Sequence, residues 1–253
     1  MYHPSEGIGM RTARFRDHTG IVRTGELTDD GIEAGSKTYE PDAVDLLPPS
    51  EPTKIVCQAG GYADHREESG LDDRPERPEL FLKTPNCVSA HGDAIELPPG
   101  RDRVEFEAEF AVVVGKQCRA VEASEAMEYV AGFTCVNDIS NRDDQEAERN
   151  WVRGKAFDGS LPMGPVLATP DEVPADATLT LRLDGEVKQE TTREMLLFSV
   201  AELVADVSEL ITLEPGDAVA TGTPFGPDAL AEGHVVEVEF EGVGTLRNHV
   251  TSR

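Results

Sequence analysis

Two glutamates one residue apart, Glu107 and Glu109, are the first place in this chain where chemistry could reside. They sit in the run Val104–Val114, in which Val104, Phe106, Ala108, Phe110, Val112 and Val114 are all apolar. That alternation predicts one continuous β-strand over 104–114. Residues i and i+2 of a strand point the same way, so Glu107 and Glu109 project side by side. Two readings stand. A glutamate face can simply be solvated, as expected for Glu237, Glu239 and Glu241, which alternate with Val238 and Phe240 and stop at Gly242. The 107–109 face instead runs on into Ala111 and Val113, which predicts that it is covered. Covered carboxylates repel each other and lose hydration unless a cation lies between them. Hard oxygen ligands suit Mg2+, Mn2+ or Ca2+. Asp138, at the end of the apolar run Cys135-Val136-Asn137, is a candidate third ligand, although an Asx turn accounts for an isolated Asp there as well or better. Ser140, Arg142, Asp143 and Gln145 follow it as a dense polar cluster.

Such residues need a scaffold, and the pattern predicts one of short strands. Residues 10–50 read as strands over Thr12–Arg16 and Gly20–Thr24 with polar turns. Leu46-Leu47 ahead of Pro48, Pro49 and Pro52 marks a linker. It separates a small N-terminal β region, 1–50, from a larger catalytic domain, 54–253. Ile55-Val56-Cys57 is a short apolar strand broken by Gly60-Gly61. Residues 62–79 are polar and charged, and a stretch of that length is a lid or a disordered loop. A helix is expected over Ser124–Ala131, with Ser124 as N-cap and Gly132 as the stop. Ser199-x-x-Glu202 is a capping box that opens a second helix, with Val200, Leu203, Val204, Val207, Leu210 and Ile211 on its apolar face. Further strands are expected at Leu179–Leu183, Ala218–Thr221 and Val235–Phe240. Strands dominate and no βαβ rhythm appears, so the fold class is α+β, mainly β, rather than a doubly wound sheet.

Composition narrows the function classes. Hydrophobic residues make up 38% of the 253 and aromatics 6%, so the core is built mostly of Val, Ala and Leu. A chain of this size buries roughly 70–75% of its unfolded surface and needs no disulfide. Acidic residues number 49 against 23 basic ones, for a net charge of −26. That excludes a general nucleic-acid binder and argues against docking on anionic membranes. Of the basic residues 6 are Lys and 17 Arg. An acid-coated, Lys-poor surface fits a halophile's high-salt cytoplasm, where salt screens self-repulsion; an ordinary acidic enzyme is the alternative. Cys57, Cys87, Cys118 and Cys135 form no Cys-x-x-Cys pair. Structural zinc and a disulfide framework are therefore not expected, and buried free thiols in a reducing cytoplasm are. No apolar run approaches the ~18 residues that span a bilayer. The first fifteen residues contain no apolar signal core, and Met10 is a candidate start because the patterned sequence begins there.

Five ordered motifs carry a resemblance. They are Glu107-Ala108-Glu109; Asn137-Asp138-Ile139-Ser140-Asn141-Arg142-Asp143-Asp144-Gln145; Arg153-Gly154-Lys155-Ala156-Phe157-Asp158-Gly159; Leu213-Glu214-Pro215-Gly216-Asp217 running into Thr221-Gly222-Thr223-Pro224; and Gly244-Thr245-Leu246-Arg247-Asn248. Together they resemble the fumarylacetoacetate hydrolase family over roughly 54–253, with 10–50 similar to the small variable N-terminal region common there. The resemblance implies a mixed β-roll, a divalent metal such as Mg2+ or Mn2+, and usually a homodimer. Its metal ligands fall on Glu107, Glu109 and Asp138.

Tyr62-Ala63-Asp64-His65 followed by Glu68 resembles the His-x-x-Glu dyad of family members that hydrolyse or decarboxylate β-keto acids. A Glu three residues on in a helical turn can orient the His, which implies a general base for water. Lys155 is implied as a cationic stabiliser near the metal. Gln145 and Thr223 match positions that hold the substrate carboxylate or oxo group. Arg142 falls among them, and pinning its loop through an ion pair to a neighbouring carboxylate suits it better. One departure concerns Gly60-Gly61, where relatives carry a bulky or basic residue and Asn; this removes side chains from the substrate mouth. The implied activity is hydrolysis of a C–C bond in a 2,4-dioxo acid, such as an acylpyruvate, through an enolate. On the same site an oxaloacetate decarboxylase or tautomerase, a hydroxyheptadienedioate-type isomerase or a 2-keto-3-deoxy sugar acid dehydratase are the alternatives. A non-enzymatic metal-binding protein is a different class, against which His65, Glu68 and Lys155 speak.

Overall fold

The strand that carries Glu109 lies inside the largest sheet. The computed structural model describes residues 9–68 and 74–252. Ala108–Val114 pairs antiparallel with Val130–Asn137 on one side and with Ala218–Ala220 on the other. All seven of its residues are buried. Their alternation sorts them onto two packed faces, as expected of a strand covered on both sides. Phe110, Val112 and Val114 join the main core with Phe133, Leu203, Val238 and Phe240, whereas Ala111 joins a smaller cluster with Ile55, Cys57, Val136 and Met163. Phe110 stacks on Phe240 at 4.6 Å and meets Phe133 edge-on at 5.9 Å. That contact joins the large sheet to a second one, Glu186–Thr192, Thr178–Leu183, Val235–Phe240, Gly244–Ser252 and Ala94–Leu97 in spatial order.

Outward from Ala218–Ala220 the large sheet continues in parallel to Ile55–Ala59 and then antiparallel to Glu79–Lys83. In the other direction it runs through Leu161–Ala168 to Arg11–Arg16 and the hairpins of Val22–Thr28, Gly31–Ala34 and Lys37–Tyr39. Parallel and antiparallel pairs coexist and the helices are few and short, so the fold is mainly β with mixed sheets.

Several local expectations need correction. The 104–114 segment is not one strand. Val104–Glu105 pairs with Ser140–Asn141 in a separate ladder, and Ala108–Val114 begins after a lapse at Phe106–Glu107. The amides at the lapse find other acceptors: Glu107 donates to Asn137 Oδ1 at 2.9 Å and Ala108 to Gln189 Oε1 at 2.8 Å. The helix expected over Ser124–Ala131 is a short 3-10 turn, Ala126–Tyr129, and Val130–Asn137 is a strand that takes Gly132 into its interior. Val130, Phe133, Thr134 and Val136 favour the pleated surface. A Cβ on Gly132 would stand 2.2 Å from the Ala168 carbonyl oxygen, so this glycine permits a close strand approach and is not a helix stop.

The stretch at Leu46-Leu47 belongs to a strand, Asp45–Leu47, paired with Arg11–Arg16. Glu237 and Glu239 are half-buried beside Arg247 and Arg182 of neighbouring strands, at 3.4 and 2.6 Å, and not simply solvated. The capping box does open Val200–Leu210, but Leu210 is 61% exposed and lies off the buried face. The expected lid, 62–79, contains 69–73, which lie outside the described residues, as do 1–8 ahead of the candidate start. Within that stretch Ala63–Glu68 is a helix, and Arg77 pairs with Asp206 and Glu209 of the 200–210 helix. The four cysteines are free and buried. Among the described residues no helix is long and apolar enough to cross a membrane.

Candidate active site

The ladder lapse builds the site. Leaving the 130–137 strand, the Asp138 amide donates to the Glu107 carbonyl at 2.9 Å, which sets Asp138 opposite the Glu107–Glu109 pair. One ligand atom each from Glu107, Glu109 and Asp138 lies within 4.8 Å of the others, and all three side chains are buried. The donor set is all carboxylate oxygen, which fits a hard divalent cation. Cys57 lies close to this cluster, but burial, then Asp138 and Glu109, push its thiol up, so it stays protonated.

Cations surround two of the three carboxylates. Lys155 Nζ donates to Glu107 Oε2 at 2.6 Å, to Asp138 Oδ2 at 2.8 Å and to Ser140 Oγ at 2.5 Å. Arg142 donates through Nε to Glu105 Oε2 at 2.7 Å, through Nη1 to Gln145 Oε1 at 2.8 Å, and also to Glu107 Oε1. Glu109 has no Lys or Arg ion partner among the described residues; it accepts a hydrogen bond from the Gly222 amide at 2.7 Å. The electrostatics follow. Burial would raise Glu107, but Lys155 and Arg142 outweigh it and hold this carboxyl well below the usual range. Burial, together with Asp138 and Glu107, pushes Glu109 well above it. Burial would lower Lys155, but Asp138 and Glu107 reverse that and keep the ammonium charged. Lys155 thus sets a positive charge against Glu107 and Asp138.

A cavity of about 180 Å³ opens on this cluster. His65, Gln145, Thr223, Arg142 and Lys155 line it with the three carboxylates. Glu68 closes the helix that carries His65, and its side chain lies outside the described residues. Trp151 and Phe81 form an apolar wall, ring centroids 5.6 Å apart, and Phe81 lies 5.1 Å from Lys155 Nζ. A larger cavity, about 900 Å³, lies between the N-terminal strands and the 243–245 turn, and none of the three carboxylates lines it.

The two glycines before Tyr62 do different things. Gly60 lines the cavity, whereas Gly61 is buried, and a Cβ there would stand 2.0 Å from the Thr221 carbonyl oxygen. Only the first thins the substrate mouth; the second lets the Thr221-Gly222-Thr223 segment approach. Sequence reasoning missed two residues. Lys83 Nζ, fully buried, bonds Asp138 Oδ1 at 2.5 Å, on the oxygen that Lys155 leaves free. A lysine in phase with Phe81 in an apolar strand, one of six in the chain, was the available signal. Gln189 reaches the site from the other sheet, and nothing in its charged surroundings marks it.

Comparisons with known proteins bear on the family and the fold. The family model described as the fumarylacetoacetate (FAA) hydrolase C-terminal region matches residues 54–251. An uncharacterized protein of Archaeoglobus fulgidus is 43% identical over 206 residues, 81% of this chain and 82% of that one. A mitochondrial oxaloacetate tautomerase of Bos taurus is 38% identical over 216 residues, 81% of this chain and 68% of that one. Among solved structures, a 5-carboxymethyl-2-hydroxymuconate delta-isomerase from Mycobacterium smegmatis superposes with a TM-score of 0.88 at 34% identity, covering 96% of this chain and 99% of that one. A fumarylpyruvate hydrolase from Pseudomonas aeruginosa, in complex with Mn2+ and pyruvate, superposes at 0.76 and 31% identity, covering 83% and 92%.

Proposed function

The chain belongs to the fumarylacetoacetate hydrolase family, and from that premise we propose that it is a divalent-metal-dependent enzyme cleaving a C–C bond of a 2,4-dioxo acid of the acylpyruvate class. The observation that carries the reading is one cavity gathering three buried carboxylates, the charged Lys155 and His65. Glu107, Glu109 and Asp138 would hold Mg2+ or Mn2+, which would supply Lewis-acid polarisation of the bound oxo acid. His65, oriented by Glu68, takes a proton from water as the hydroxide adds to the distal carbonyl carbon. Collapse of that adduct breaks the C–C bond; the distal fragment leaves as a carboxylic acid, and the bonding pair goes to pyruvate as its enolate. Lys155 places fixed positive charge where the enolate charge develops. Gln145 and Thr223 orient the substrate's carboxylate end, and Arg142 braces Glu105, Glu107 and Gln145. The enolate regains its proton from the imidazolium or from water.

A second reading, keto–enol tautomerisation of an oxaloacetate-type acid, is favoured by the similarity to the bovine tautomerase. It needs a proton shuttle and no attack by water. His65→Ala tests the first. On the hydrolase reading it lowers acylpyruvate cleavage by roughly 10²–10⁴-fold. Mn2+ affinity stays the same, because His65 is outside the carboxylate set. A wild-type protein that is inert towards acylpyruvates with Mn2+, yet interconverts the oxaloacetate tautomers, would replace the first reading with the second.

A further inference from the structure

Gln189 makes three hydrogen bonds whose directions are forced by chemistry. The Ala108 amide, lying between Glu107 and Glu109, donates to its Oε1 at 2.8 Å. A backbone N–H can only donate, so the amide atom facing it is the oxygen. Nε2 then faces Thr223 Oγ1 at 2.9 Å and the Pro224 carbonyl oxygen at 3.0 Å. The carbonyl can only accept, and the two Nε2 hydrogens are divided between these two oxygens. Thr223 Oγ1 is therefore an acceptor towards Gln189, and its own proton cannot point back, because the amide nitrogen offers no lone pair. Among the described residues no acceptor takes that proton. Thr223 lines the carboxylate cavity.

We propose that Gln189 is a positioning residue that sets the polarity of the Thr223 hydroxyl, so that Thr223 presents a donor to the ligand. With one lone pair taken by Gln189 and the proton uncommitted, the hydroxyl is matched to an acceptor such as a carboxylate or oxo oxygen. This rests on the reading above, in which an oxo acid occupies the cavity. Gln189 is buried and comes from the Glu186–Thr192 strand of the second sheet. It joins the carboxylate-bearing strand to the Thr223 loop with one amide, so the same side chain that fixes the donor also fixes its distance from the carboxylates.

The test is titration of oxalate, an oxo-acid mimic, into the Mn2+-loaded full chain. Thr223→Val should weaken oxalate roughly ten- to hundred-fold, the range for losing a hydrogen bond to a charged group. Gln189→Glu keeps the shape but offers the hydroxyl an acceptor, which turns the Thr223 proton away from the cavity and should weaken oxalate to a similar extent. In the Thr223→Val background the same Gln189 change should cost less, because no hydroxyl remains to turn and only the effect of the added charge is left. Thr223→Ser should restore most of the affinity. Mn2+ affinity measured without oxalate should hold in both Thr223 variants, which a general disturbance of the site would not allow; the Gln189→Glu charge acts on Mn2+ and oxalate with or without the hydroxyl, and comparison with the double variant removes it. Unchanged oxalate affinity in Gln189→Glu, or full losses that simply multiply, would overturn the proposal and leave the oxo-acid reading intact. Oxalate that fails to bind the wild-type holoprotein, or that ignores Thr223→Val, would overturn the proposal, and activity on acylpyruvates then decides the oxo-acid reading separately. If Gln189→Glu does not fold, a crystal structure of the unaltered chain with Mn2+ and oxalate decides. Thr223 Oγ1 within ~3.2 Å of both Gln189 Nε2 and an oxalate oxygen supports the proposal. Thr223 turned away from either one overturns it.

Discussion

Glu109→Gln should stabilise the metal-free protein while abolishing metal binding. The Glu109 side chain is buried, its hydrogen-bond donor is the Gly222 amide at 2.7 Å, and the Glu107 and Asp138 carboxylates lie within 4.8 Å by ligand atom. At that separation and an effective dielectric of about 20, each like-charge pair costs about 3.5 kcal/mol. Two neighbours double this, and Lys155 offsets part of it. Protonation caps the penalty. For a carboxyl whose ordinary value is 4.5, holding a proton at about pH 7 costs at most about 3 kcal/mol. Gln has the same shape, keeps an acceptor for Gly222 and carries no charge.

The variant should therefore gain up to about 3 kcal/mol at about pH 7 in EDTA, a rise of roughly 6–12 °C in Tm. The sign with pH follows from the raised carboxyl. As pH increases past about 4.5 the unfolded chain loses this proton first, so wild-type stability declines until the folded carboxyl itself ionises. The variant lacks that slope, and the gap between the two should widen with pH through this window. Mn2+ inverts the order: at about a thousand times Kd the wild type gains about 4.1 kcal/mol, which exceeds the variant's lead, and the variant gains almost nothing. Urea unfolding from about pH 5 to 8, with EDTA and with Mn2+, reads both effects. A variant less stable than wild type in EDTA at neutral pH, or one that Mn2+ stabilises equally, would refute the assignment of Glu109 as the uncompensated carboxylate.

Three further outcomes follow from buried contacts. Lys83→Met removes one partner of the Lys83–Asp138 pair and should cost roughly 3–5 kcal/mol in EDTA, with part regained when Mn2+ supplies Asp138 with positive charge. An equal loss with and without Mn2+ would place Lys83 outside the metal's electrostatic reach. Gly132→Ala puts a methyl 2.2 Å from the Ala168 carbonyl oxygen and should lower the urea midpoint by the equivalent of about 1–3 kcal/mol, with m unchanged. Phe110→Ala empties the stack between the two sheets and should cost about 3–5 kcal/mol; a loss under 1 kcal/mol would mean that Phe133 and Phe240 close the gap.

The alternation around Glu107 and Glu109 is local information, because successive Cβ atoms point to opposite faces whatever lies across the ladder. That is why the side-by-side carboxylates, and their cover by Ala111 and Val113, were legible without a structure. The same property hid the lapse at Phe106–Glu107: alternation continues through a break, and only the partners Asn137 and Gln189 reveal that the ladder has stopped. The glutamates of 235–241 show the limit from the other side. Their pattern matches that of 105–109, yet they meet Arg182 and Arg247 across neighbouring strands where Glu109 meets two carboxylates.

Motif resemblance supplied candidate roles for His65, Gln145, Lys155 and Thr223, and tertiary structure brings their side chains to one cavity. Gly132 was misread because a glycine in sequence does not say whether it stops a helix or admits a neighbouring strand; the Ala168 carbonyl decides that. Lys83 and Gln189 stand 55 and 81 residues from the groups they bond. A hydrogen bond over such a separation depends on which strands pair and which sheets pack, and no local period records either.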